Sequence, residues 1–191
     1  MIFQVLALLI LSIFYGIYLG KMFVQSKKGI KTHQIGGKKE KKLHTVETLM
    51  GIATVSIIPI QLISILAEYN YSPLCIRFIG VVIGMIGDFV FLSAVLTMRD
   101  SWRAGIPATD KTELVTRGIY SWSRNPAFLG FDFMYIGICM LYCNPFTILF
   151  SLFAIIMLHM QILQEETYMT DTFGADYSAY KLRVCRYLGK R

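Results

Sequence analysis

Charge is scarce in this chain. Asp, Glu, Lys and Arg make up 16% of it, with 12 acids against 19 bases. Beside 55% hydrophobic residues and a mean hydropathy of +0.54, that scarcity excludes an ordinary soluble domain and describes an integral membrane protein. Cysteine is sparse too. The four present form no CxxC pair, and the C-terminus carries no prenylation box; they read as small buried or idle thiols, and no metal site is expected. There is no internal repeat and no long polar stretch that would make a soluble domain. Positive charge is missing ahead of the first apolar run and follows it instead, so that run is not expected to be a cleaved signal peptide.

What is present is long uncharged sequence. Residues 1–20 and 48–67 carry no charge, 78–98 carry only Asp88, and 126–164 carry only Asp132. A helix needs ~20 apolar residues to cross the hydrocarbon core. The last stretch is too long for one crossing, and Asn144-Pro145 is its natural break, since proline cannot continue a helical hydrogen-bond ladder. The expectation is one all-α membrane domain over residues 1–191, with five transmembrane helices at about 2–24, 47–69, 75–98, 126–143 and 146–165. Lys and Arg number eight in 21–42, five in 99–124 and five in 181–191, against Arg77 alone on the other side. The positive-inside rule then puts the N-terminus outside and the C-terminal tail in the cytoplasm. The net charge of +7 is thus a topology signal. Nucleic-acid binding is not expected, because the basic GGKKEKK run at 36–42 lacks interleaved aromatics; that run suits contact with anionic lipid. All extended polar segments (25–46, 99–125 and 165–191) fall on the cytoplasmic side, so chemistry on a water-soluble partner belongs there.

Three intramembrane features call for assignment. Gly80, Gly84 and Gly87 superficially suggest a dinucleotide loop, but they sit in an apolar span without a preceding strand and read as helix-packing glycines. Asp88 and Asp132 are costly charges that should face a bundle interior, a cavity or a partner. Asp88 and Arg99 are too far apart along the helix to pair, at roughly 16 Å. A structural role is expected for Asp88 and for His159, and either substrate contact or structural pairing for Asp132.

The segment 99–130 is different in kind. Ser101-Trp102-Arg103 with Gly105-Ile106, then Leu114-Val115-Thr116-Arg117-Gly118-Ile119-Tyr120, Arg124-Asn125-Pro126 and Gly130, and finally Glu165-Glu166 with Phe173-Gly174, Tyr177 and Tyr180, occur in an order that resembles the isoprenylcysteine carboxyl methyltransferase-like family of membrane methyltransferases, relatives of the phospholipid methyltransferases. Asn125 replaces the histidine common in the family before the proline, and Phe128 replaces a tyrosine. Asparagine does not titrate near neutral pH, so position 125 cannot shuttle a proton.

The resemblance implies an enzyme that uses S-adenosylmethionine to methylate a lipophilic or lipidated acceptor (a carboxylate, amine or thiol) drawn from the bilayer. The active site would face the cytoplasm of a prokaryotic cytoplasmic membrane. It further implies that 99–130 and 165–191 bind the cofactor. Leu114, Val115, Gly118, Ile119, Tyr120, Arg124, Asn125, Pro126, Phe128, Leu129, Glu165 and Glu166 would line the cofactor site. Arg124 would meet a carboxylate, Pro126 would open a helix whose free N–H groups face the cofactor, and Tyr120, Trp122 or Phe128 would stack on adenine. Glu166, with Arg124, would act in catalysis, Glu166 by orienting or deprotonating the acceptor. Asp132, Trp102 and Arg186 are candidate substrate contacts. As residues at a membrane edge, Arg124, Asn125 and Glu166 are expected to tolerate substitution without loss of fold. Competing readings are a phospholipid amine methyltransferase, an NADPH-dependent membrane reductase, and a channel or scaffold without catalysis.

Overall fold

A computed structural model describes residues 1–30, 32, 34, 41–106 and 113–190. The chain is an all-α membrane protein. Its helices are α1 (Ile2–Lys27), α2 (Lys41–Leu66), α3 (Leu74–Met98), α4 (Pro126–Leu141) and α5 (Pro145–Arg183). Short 3-10 turns lie at Arg99–Ser101 and Gly118–Ser121. Four helices are long and apolar enough to cross a membrane; α4 is the shorter apolar helix, at 16 residues, or about 24 Å. The described residues form no sheet; Val184 and Lys190 make an isolated bridge.

Two boundaries differ from expectation. α2 starts at Lys41 instead of near 47 and ends at Leu66, just before Glu68 turns to a positive φ of 51°. α5 continues past 165 to Arg183, with Gly174 at φ 52° kinking it. Both differences have one cause. Hydropathy reports the stretch that crosses lipid, whereas a helix continues wherever polar residues still support its ladder. The piece of α5 from 145 to 165 alone measures about 31 Å, the thickness of a hydrocarbon layer. The GGKKEKK run lies mostly outside the described residues, and its contact with lipid with it.

The glycines of α3 do what their spacing suggests. A Cβ on Gly137 would sit 2.5 Å from the Gly84 nitrogen, one on Gly87 2.7 Å from the Met134 nitrogen, and one on Gly80 2.7 Å from the Gly137 carbonyl. Side chains there would force α3 and α4 apart. The α4–α5 break is fixed by Asn144, whose carboxamide oxygen accepts from the Phe146 and Thr147 nitrogens while Thr147 returns the bond, a reciprocal cap. Its amide nitrogen also donates to Ser64 Oγ (3.1 Å) and the Tyr69 carbonyl (2.9 Å), tying this corner to the end of α2.

Candidate active site

The segments that carry the family resemblance meet at one end of the bundle, and they divide into two neighbouring groups. The first is built by the tail folding back. Gly118 adopts φ +60° with Thr97 only 3.1 Å from where a Cβ would stand, so a tight left-handed turn sits under the end of α3. Beyond the kink at Gly174, Tyr177, Tyr180 and Val184 form a small apolar cluster with Leu114 and Phe173 packed on it. Tyr180 Oη donates to the Tyr120 carbonyl at 2.5 Å, the Arg124 nitrogen to the Cys185 carbonyl at 3.1 Å, and the Gly189 nitrogen to the Trp122 carbonyl at 2.8 Å. These bonds hold residues 120–125 against the tail and aim Arg124, Asn125 and Arg186 at one carboxylate.

That carboxylate is Glu166. Its Oε1 meets Arg124 Nη2 at 2.9 Å and accepts from Asn125 Nδ2 at 3.3 Å; its Oε2 accepts from Arg186 Nη2 at 2.9 Å. Asn125 Nδ2 also reaches the Arg186 carbonyl at 3.2 Å, and its side chain does not cap α4. The side chains of Arg124 and Glu166 are 5% and 10% exposed, that of Arg186 36%. Burial raises the Glu166 pKa, but the hydrogen bond from Arg186, the charges of Arg124 and Arg186 and the Asn125 amide outweigh it and hold the carboxyl below its usual value. With both oxygens engaged and a lowered pKa, Glu166 is a weak general base. Its geometry suits an anchor for two arginines.

The second group lines a cavity of about 450 Å³. Tyr15 and Tyr18 from α1, Thr54 and Ile58 from α2, and Phe128, Phe131 and Tyr135 from α4 form its apolar walls; Leu158, Gln161 and Glu165 come from α5. Leu19 and Val55, exposed on α1 and α2, stand at its edge. Trp102 closes one side, 4% exposed, with its ring edge-on to Tyr18 (5.6 Å) and Phe91 (6.2 Å). The strap that carries Trp102 is held from both neighbours. Gln25 Nε2 donates to the Trp102 carbonyl (3.1 Å), the Ala104 nitrogen to the Thr32 carbonyl (3.0 Å), and the Ile106 nitrogen to Glu47 Oε1 (3.2 Å).

Adjacent residues thus serve different groups. Glu165 faces the cavity, where Gln161 Nε2 donates to its Oε1 at 3.2 Å, and Glu166 faces the arginines, since consecutive helical side chains diverge by about 100°. Phe128 and Trp102 line the cavity; Arg124, Asn125, Glu166 and Arg186 do not. Tyr120 is buried and Trp122 exposed, with Lys190 5.1 Å over its ring. Pro126 and Leu129 are buried at the start of α4, and Val115 and Ile119 are half-buried. Asp132 is 8% exposed, and its Oδ1 has no hydrogen-bond partner among the described residues. His159 Nδ1 lies 2.5 Å from Tyr187 Oη, the rings stacked at 18°. Sequence reasoning missed Tyr18, Phe131, Gln161 and Tyr187. Glutamine and tyrosine inside otherwise apolar runs were the available signal, but they are scattered over three helices and the tail.

The chain is a helical membrane protein in which an apolar cavity and a buried Arg–Glu cluster lie side by side. Residues 79–171 match the model of the isoprenylcysteine carboxyl methyltransferase (ICMT) family. The chain is 28% identical over 120 residues to the protein-S-isoprenylcysteine O-methyltransferase of Saccharomyces cerevisiae, covering 61% of this chain and 50% of that protein. It is 30% identical over 109 residues to the Xenopus laevis protein of the same name (56% and 38%) and 32% identical over 77 residues to the human one (40% and 27%). The matched stretch therefore spans half the length of the first of these relatives and less of the other two. Over residues 79–171 the chain is thus similar to the isoprenylcysteine carboxyl methyltransferase family.

Proposed function

We propose that the protein transfers a methyl group from S-adenosylmethionine to a lipophilic acceptor at the cytoplasmic face of its membrane. The observation that carries this reading is the cavity: apolar walls, a lateral edge at Leu19 and Val55, and Gln161, Glu165 and Arg103 as its few polar groups. Such a space accepts a chain that stays dissolved in lipid while its reactive end meets polar side chains.

The residues present fit the cofactor. Its carboxylate needs buried cationic donors with spare capacity, and Arg124 Nε and Arg186 Nε are buried without hydrogen-bond partners among the described residues. Its sulfonium centre suits aromatic faces and a carboxylate, supplied by Trp102, Phe128 and Glu165. When bound, the cofactor supplies a methyl on a sulfonium centre. The chain's own contribution is alignment and exclusion of water. Phe128 and Trp102 wall the reacting space, Glu165 and Gln161 orient polar groups within it, and Glu166 is a positioning residue that holds Arg124, Asn125 and Arg186. This reassigns Glu166 from acceptor base to anchor.

For the acceptor, we propose a carboxylate on an apolar thioether chain, as the name of the relatives describes for them. A carboxylate already ionised at neutral pH needs no base, which agrees with a Glu166 that cannot readily take a proton. An amine acceptor would need one. The expected prokaryotic membrane draws no support from the three relatives above, all eukaryotic. Calorimetry of the purified chain with S-adenosylmethionine, S-adenosylhomocysteine and NADPH, followed by methyl transfer to N-acetyl-S-farnesylcysteine, tests the reading. Binding of both sulfur compounds with transfer is expected; binding of NADPH alone would establish the reductase reading.

A further inference from the structure

A second concavity lies away from the proposed active site, on the lipid side of the seam between α1 and α3. It holds about 290 Å³. Leu9 and Ile13 of α1 face Met85 and Phe89 of α3 across it, all four exposed at the surface that lipid covers. It extends along α1 from Leu6 to Ile17, about 16 Å. Its one polar lining residue is Asp88.

Asp88 is only 7% exposed, and its Oδ1 is buried without a hydrogen-bond partner among the described residues. Arg77, the basic residue nearest it in α3, is eleven positions away, about 16 Å along the helix, and lies over the Phe3 and Tyr142 rings at 4.3 and 5.0 Å. A carboxyl group sunk in hydrocarbon without a donor is costly. Gly84, one turn earlier on the same face, lets Ile10 approach so closely that a Cβ would stand 2.9 Å from its Cδ1. The seam is therefore tight above Asp88 and open beside it.

We propose that this groove is a binding site for a lipophilic ammonium ion, with the alkyl chain lying along the α1–α3 seam and the N–H groups donating to Asp88. The occupant follows from complementarity. Apolar walls about 16 Å long suit a single chain, and a buried acceptor without a donor suits a cation. A second copy's helix is a poorer occupant, because a cylinder ~10 Å wide cannot lower its backbone onto a carboxylate at the bottom of so small a groove.

Equilibrium binding of radiolabelled dodecylamine to the full chain in dodecyl maltoside tests this, with the protein-free micelle as baseline. The wild type should bind saturably. Asp88→Asn should bind at least about tenfold more weakly, from loss of a charge-assisted bond. Met85→Trp, at an exposed wall position, should block the groove and abolish binding, and it keeps the test decisive if Asp88→Asn fails to fold. Excess dodecanol and dodecanoate should compete poorly. Equal binding by Asp88→Asn or by folded Met85→Trp, or equal competition by dodecanol, would overturn the proposal. So would a wild-type dimer that dissociates in Asp88→Asn, which would give the groove to a second copy.

Discussion

Replacing Glu166 by Gln separates positioning from structure at the arginine cluster. The substitution keeps shape and one acceptor but removes the charge that faces Arg124, whose side chain is 5% exposed. Stranding a buried charge typically costs ~3–5 kcal/mol. The half-exposed Arg186 adds at most ~1 kcal/mol. A loss of about 3 kcal/mol is therefore expected, seen as a lower unfolding temperature in detergent. The burial of this pair revises the expectation that edge residues tolerate change. The double variant Arg124→Met with Glu166→Leu removes the stranded charge, and apolar replacement of a buried ion pair is often neutral or better. It should recover most of the thermal stability, whereas S-adenosylmethionine affinity, read by calorimetry, should stay at least about tenfold down, because the donor proposed for the cofactor carboxylate is gone. Recovery of both stability and affinity in the double variant would refute the reasoning and leave the cluster a structural staple.

Further outcomes follow from the same contacts. Because the folded pKa of Glu166 is lowered, its stabilisation is present above the ordinary glutamate value of ~4.3 and fades as pH falls through the lowered folded value; acid unfolding curves of Glu166→Gln should lack that limb. Asn125→His should retain cofactor affinity within a few-fold if position 125 only donates to Glu166 and the Arg186 carbonyl, as calorimetry will show. Gly137→Ala should destabilise by ~1–3 kcal/mol through overpacking against Gly84, measured by thermal unfolding. An engineered cysteine in the 36–40 run should resist a membrane-impermeant reagent in intact cells, and labelling there would reverse the cytoplasmic assignment.

The apolar runs and the Asn144-Pro145 break were legible because lipid imposes a length and proline removes a donor. The glycine seam was legible because only close helix approach explains small residues at that spacing in hydrocarbon. The far end of α5 was not, since hydropathy falls silent once a helix leaves the membrane. Nor was the partner of Arg124. Glu166 stands 42 residues away on α5, and the tail beyond the Gly174 kink, where Tyr180 bonds the Tyr120 carbonyl, packs against the segment that carries Arg124. Both tandem glutamates were expected at the cofactor and Glu166 alone in catalysis; helical geometry turns Glu165 to the cavity and Glu166 to the arginines.

That division of labour has a consequence for specificity, which a cavity variant can expose. Val55 sits 67% exposed at the edge of the cavity, and Thr54 beside it lines the wall. A bulky side chain at 55 narrows the lateral opening between α1 and α2 and touches neither the arginines nor Glu165. Val55→Trp should therefore raise the apparent KM for a farnesylated acceptor and leave S-adenosylmethionine affinity unchanged, because only the path from the bilayer is obstructed. Thr54→Phe, projecting into the cavity itself, should lower turnover with the same acceptor and lose less with a shorter chain. Methyl transfer measured against acceptors of graded chain length reads both effects. If Val55→Trp weakened cofactor binding and left acceptor KM alone, the cavity would belong to the cofactor, and the acceptor would have to approach from the arginine side.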